Sequence, residues 1–135
     1  MKIIDAVSAV FCHGGQVFAV RRQKNLQMFP GYESFPGGKV EAEDLEIRYP
    51  AQFLDRLDGR NTHALVREIR EELDYDLPAA IASGQVANVR LLGTSLAPSI
   101  IPFRFYLHYY RIDLTSRPHF QLDCGELERG SWRTP

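Results

Sequence analysis

The chain has 135 residues, which suits one domain built around one core. Hydrophobic residues make up 44% and charged residues 24%, the balance of an ordinary soluble globular protein, and the formal net charge of −1 supplies no basic field for nucleic acid. No apolar run approaches the roughly 20 residues of a bilayer span, and the opening stretch MKIIDAVSAVFCHGG reads as a strand rather than a signal peptide.

From Ile3 to Cys12 the pattern is β-rich, His13-Gly14-Gly15 signals a turn, and Gln16 to Arg21 resumes with Val17, Phe18 and Val20, so a hairpin is predicted. A Pro/Gly-rich loop follows from Phe29 to Gly38, FPGYESFPGG, shaped rather than linker-like. Residues 45–61 hold one short helical candidate, with Pro50 in its first turn, Phe53, Leu54 and Leu57 on one face, and Gly59 as its stop. Asn61 or Thr62 can cap the next helix, which runs to about Leu73 with Leu65, Ile69 and Leu73 as its buried stripe. Pro78 and Gly84 bracket a short helical turn. Val89 to Ser95 and Phe103 to Leu114 read as strands, joined by a loop marked by Pro98 and Pro102. The order of strands, helix and strands again predicts an α/β (α+β) fold with a mixed sheet flanked by helices. Cys12 and Cys124 stand far apart and match no zinc spacing, so reduced thiols and a cytoplasmic location are expected.

The segment that carries chemistry is Arg67-Glu68-Ile69-Arg70-Glu71-Glu72-Leu73. Glu71 and Glu72 follow Glu68 by three and four residues, and at about 100° per residue all three carboxylates fall near one side of the helix. They repel one another, and they sit toward the helix C-terminus, where the dipole disfavours negative charge. A solvated charged face, partly neutralised by Arg67 and Arg70, is the plain reading. A hard divalent cation would reverse the sign of the cost, because it takes oxygen ligands. Upstream, Phe35-Pro36-Gly37-Gly38-Lys39-Val40-Glu41 joins a turn open to close backbone approach with a basic side chain and a carboxylate.

Together these residues resemble the Nudix box: Gly, five residues, Glu, seven residues, Arg-Glu, an apolar residue, any residue, Glu-Glu, any residue, Gly, apolar. Gly38 matches the first position, and Arg67, Glu68, Ile69, Glu71, Glu72 and Tyr75 match the helix half. Three departures stand out. Asp44 replaces the first Glu, 22 residues separate Asp44 from Arg67 instead of seven, and Asp74 replaces the closing glycine. Asp is a short carboxylate still able to pair with Arg67. The insertion of 15 residues, if looped out, moves no helix carboxylate; residues 45–61 are then expected to project beside the active-site mouth. Asp74 must adopt a left-handed conformation, which Asp visits more readily than most residues. With FPGYESFPGGKVEAED before the insertion, the chain is similar to the Nudix 19-like (RP2-like) branch, some of whose members act on coenzyme A and its esters.

The resemblance implies a Nudix fold, a mixed sheet sandwiched between helices. It implies one domain over residues 1–135 that lacks the helix usually following the tryptophan strand, so that either more chain or self-association into a homodimer covers the exposed sheet face. It implies attack by water on a diphosphate linking a nucleoside to another group, with magnesium or manganese held by Glu68, Glu71, Glu72 and the Gly37 carbonyl. Glu68 and Arg67 belong to the catalytic machinery, Arg67 orienting Glu68 or pairing with Asp44. Glu126, in GELERGSW, is a candidate base or extra ligand; its plain reading is an exposed loop acid. Arg21, Arg22 and Lys39 are candidate substrate contacts, against the plain reading that each is simply solvated. His13, His63, His108 and His119 lack metal spacing and are expected to be structural or exposed. A small-molecule nucleotide is the expected partner, with no membrane, and the near-neutral charge argues against RNA ends. A non-hydrolytic, nucleotide-binding sensor of the same fold is the competing class.

Overall fold

The computed structural model of the chain describes residues 2–25, 31–45, 49, 51–97 and 103–135. Pro50, Pro98, Pro102 and the first two residues of the Phe29–Gly38 loop lie outside them. The β-rich opening forms β1 (Lys2–His13) and β2 (Gln16–Arg22), joined by Gly14 and Gly15. Both glycines have positive φ, 57° and 76°, which a two-residue hairpin turn with the twist of its strands requires. Along the chain follow β3 (Glu33–Ser34), β4 (Gly37–Lys39), α1 (Gly59–Leu73), α2 (Leu77–Ala82), β5 (Val86–Leu96), β6 (Phe103–Leu114) and β7 (Leu127–Arg133).

These strands make one seven-stranded mixed sheet, ordered β3-β2-β1-β6-β5, with β4 paired to β1 and β7 paired to β2. β1 runs parallel to β6, from Lys2↔Phe103 to Cys12↔Asp113, and antiparallel to β4, where Val7 faces Gly38. Alternation selects the core face. Val7, Ala9 and Phe11 of β1, Phe18 and Val20 of β2, and Tyr110, Ile112 and Leu114 of β6 join Leu65, Ile69 and Leu73 of α1 in one apolar cluster. Leu77, Ala80 and Ile81 of α2 join it too. Out of phase with those rows, Val10 and Tyr109 line an open groove of about 430 Å³ with Val17, Phe35, Leu92 and Pro135.

Three expectations need correction. Asp58, not Asn61 or Thr62, caps α1: its Oδ1 accepts the N–H groups of Arg60 and Asn61 at 3.0 and 3.2 Å. Asn61 and Thr62 are buried instead, so their side chains face the protein. Gly59 therefore opens α1 rather than stopping an earlier helix. The described part of the insertion also does not project. It forms a 3₁₀ turn at Leu54–Arg56, following another at Ala42–Leu45. Ala51 and Leu54 are core residues, and Tyr49, Phe53 and Leu57 pack against that core. Apolar side chains that can reach α1 bury themselves there rather than stand in water.

Asp74 ends α1 at φ 50° and ψ 43°, the left-handed conformation expected of it, with its N–H donating to Arg70 O at 3.1 Å. The last helical carbonyls are otherwise orphans. Here Glu72 O accepts from Asp123 N–H at 2.8 Å, and Leu73 O from Gln121 N–H at 3.0 Å. The segment leading into β7 thus hangs from the C-terminal end of α1.

Candidate active site

The site begins where β4 slides under α1. A Cβ on Gly37 would lie 2.0 Å from Val7 O, and one on Gly38 would lie 2.5 Å from Glu68 Oε1. At Gly37 the obstacle is backbone, so only glycine lets the strand sit this close to β1; at Gly38 it is the end of the Glu68 side chain, which a Cβ would displace. The Gly37 N–H donates to Glu72 Oε2 at 2.9 Å.

Arg67 organises the helix side. Its Nε and Nη2 form a two-pronged pair with Asp44 Oδ1 and Oδ2, both at 3.0 Å. Nη2 also donates to Lys39 O at 2.9 Å, and Nη1 to Glu68 Oε1 at 3.0 Å and Glu71 Oε2 at 3.3 Å. The guanidinium thus serves the protein itself, both pairing with Asp44 and orienting Glu68. Asp44 is fixed further by the Glu41 N–H, which donates to its Oδ2 at 2.7 Å, while its carbonyl pairs with His63 Nδ1 at 2.7 Å. Burial pushes the Asp44 carboxyl up, but its bonds to Arg67 and Glu41 and the Arg67 charge outweigh that and hold it below its ordinary value.

Glu68 and Glu72 are 8% and 2% exposed. Burial, then the neighbouring charge of Glu68, pushes the Glu72 carboxyl up to about 9, with the Gly37 N–H and the charge of Arg22 opposing. Burial likewise pushes Glu68 up to about 7, against the pull of Arg67. Glu71 differs: its side chain is 56% exposed and turned toward Arg67. The expected carboxylate cluster is therefore two buried acids and one surface acid. Among the described residues no three His, Cys, Asp or Glu side chains are already drawn together as a metal cage. The donor set, hard carboxylate oxygens held side by side without a full complement of cations, nevertheless suits a hard divalent ion.

The remaining predicted residues divide by strand phase. Arg22 continues the core-facing row of Phe18 and Val20, and its charge reaches Glu72. Arg21 points the other way, donating to Gly31 O at 2.9 Å and pairing with Glu33 at 3.2 Å. Lys39 lines a separate groove with Lys2, Asp5, Glu41 and Arg60. Glu126 is exposed on its loop, yet its charge raises both Glu68 and Glu72, which places it on their side. His63 and His108 are structural, the latter 3.1 Å from Asp5. Sequence reasoning missed Gln23, whose backbone and side chain both bond to the Glu126 loop. No local pattern signals a contact about a hundred residues apart in the chain.

Residues 2–135 match the NUDIX domain family. The chain belongs to the Nudix family. A Nudix hydrolase from Alicyclobacillus acidocaldarius shares its fold at a TM-score of 0.72 and 20% identity, over 98% of this chain and 79% of that one. A MutT Nudix hydrolase from Burkholderia pseudomallei aligns at 0.65 and 17% identity, over 98% and 83%. The Nudix domain of Shewanella oneidensis NrtR, determined in complex with ADP ribose, aligns at 0.63 and 17% identity, over 98% and 73%. A comparison with curated proteins found no match. Nudix hydrolases generally act on nucleoside diphosphates linked to another moiety and generally use divalent metal ions. In this Nudix domain the two halves of the box, separated by the insertion, meet through Arg67–Asp44 and Glu72–Gly37. Among the described residues no helix is long and apolar enough to cross a membrane.

Proposed function

We propose that this Nudix domain is a diphosphatase: it hydrolyses the diphosphate linkage of a nucleoside diphosphate joined to another group. The observation that carries the reading is the pair of buried acids, Glu68 and Glu72, held against β4 with raised affinity for protons. Burying two like charges is costly, and a site that concentrates such cost is where function is found. Glu68, Glu71 and Glu72, with the Gly37 carbonyl, would hold magnesium or manganese, Glu71 leaving Arg67 to do so. Such an ion neutralises the diphosphate and lowers the pKa of water.

The other roles belong to the chain's own groups. Arg67 holds Glu68 in position. Glu126 takes the proton of the attacking water. Arg22 is the best placed of the candidate phosphate contacts, since its charge reaches Glu72 while Arg21 points the other way and Lys39 lines a separate groove. The inserted box and the FPGYESFPGG loop favour coenzyme A or a similar nucleotide derivative, handled as a free small molecule in the cytoplasm. The test is a hydrolysis screen with magnesium over coenzyme A, ADP-ribose, NADH, dinucleoside polyphosphates and nucleoside triphosphates. Cleavage of a linked diphosphate that chelation abolishes is expected. Tight binding without cleavage of any of them would contradict the reading and select a sensor.

A further inference from the structure

The loop that carries Glu126 is short and exposed, and two separate anchors hold it. On one side Asp123 N–H donates to Glu72 O at 2.8 Å, fastening the loop to the helix of the buried acids. On the other side stands Gln23, the residue after β2. Its backbone N–H donates to Glu126 O at 2.8 Å. Its side-chain Nε2 donates to Cys124 O at 2.9 Å and Leu127 O at 3.2 Å, on both flanks of Glu126. Between the anchors the loop is a tight turn, with Glu126 N–H and Leu127 N–H both donating to Asp123 O at 3.2 and 2.8 Å. A carboxamide that serves two carbonyls around one residue fixes that residue's position along and across the loop.

We infer that Gln23 is a positioning residue, whose carboxamide holds the Glu126 loop against the α1 carboxylates so that Glu126 faces the reacting water. The inference rests on the role given to Glu126 above. Gln23 also adjoins Arg22, so the phosphate contact and the proton acceptor would be positioned from neighbouring residues of one strand end. A base must stay within hydrogen-bond reach of the proton it takes, and a displacement of about 1 Å costs on the order of 100-fold in rate.

The test compares wild type, Gln23→Leu, Gln23→Lys, Glu126→Gln and the Gln23→Leu/Glu126→Gln double variant. Two readouts are used: amide hydrogen exchange of residues 124–127, which needs no substrate, and kcat and KM on the compound cleaved in the screen. Gln23→Leu should speed exchange in the loop and lower kcat about 10-fold or more while KM moves less than about 3-fold. Gln23→Lys, which keeps a donor for the two carbonyls, should recover most of the rate. The double variant should be no slower than Glu126→Gln, because Gln23 acts through Glu126. Unchanged exchange and rate in Gln23→Leu, or losses that multiply in the double variant, would overturn the inference. A wild-type rate in Glu126→Gln would instead overturn the role of Glu126, and the role of Gln23 in turnover with it, whatever the exchange shows.

Discussion

Glu72 is the residue on which the site's electrostatics turn. Its folded carboxyl sits at about 9 and that of Glu68 at about 7, both above the 4.5 of a free side chain. A carboxyl whose folded value is raised favours the fold in its protonated form. That contribution is complete below about 4.5 and is lost as pH climbs through about 7 and then 9. The metal-free protein should therefore melt at progressively lower temperature as pH rises from near 5 to near 9, and magnesium should restore more stability at the alkaline end. Glu72→Gln keeps an oxygen for the Gly37 N–H and removes the charge. It should raise the metal-free melting temperature near pH 8, remove most of the magnesium effect and abolish turnover. Melting curves across that range decide the matter, and a wild-type pH slope in the variant would contradict the assignment. The neighbouring glycines separate fold from function. At Gly38 the obstacle is the far end of Glu68, a movable side chain, so Gly38→Ala should fold and lose activity about 10-fold or more. At Gly37 the obstacle is the Val7 carbonyl, which is backbone, so Gly37→Ala should lower the melting temperature sharply. Equal melting temperatures for the two variants would show that β4 yields more readily than its contacts imply.

At the scale of elements, the regular pieces are legible in the sequence because their apolar residues recur with the right period. The fourfold stripe of α1 and the aromatic run of β6 both form where that period places them. The left-handed Asp74 and the pairing of Arg67 with Asp44 are also legible, because the box pattern names those positions despite the insertion between them. The insertion itself is not. Phe53, Leu54 and Leu57 fit a helix face, but Leu54 N–H to Ala51 O and Leu57 N–H to Leu54 O close only a short 3₁₀ turn, and it is burial against the core that fixes these side chains. The cap is misplaced by the sequence reading because Asn61 and Thr62 are suitable residue types, but the core buries both and the cap falls one turn earlier, on exposed Asp58. It follows that the described part of the inserted segment belongs to the fold. Leu54→Ala should cost about 2–5 kcal/mol in denaturant unfolding, as for other buried leucines. A cost below about 0.5 kcal/mol, typical of a surface change, would mean that the segment is a removable loop after all.

At the scale of the molecule, the fold gathers one end of β2, the glycine strand, the acidic helix and the Glu126 loop, segments that span more than a hundred positions of the chain. The strand registers and the hydrogen bonds at the end of α1 do the gathering. None of that is visible in one sequence, which explains why Glu126 is suspected only through the family resemblance and Gln23 is not found. If the α1 carboxylates form a divalent-metal site, as proposed, manganese binding reports on it whatever the substrate is. Manganese titration followed by electron paramagnetic resonance should show binding by the wild-type protein that strengthens as pH rises from near 6 to near 8. It should be lost in the Glu68→Gln/Glu71→Gln/Glu72→Gln variant, whose fold is checked by circular dichroism. Undiminished manganese binding by a folded triple variant would place the metal elsewhere and contradict the account.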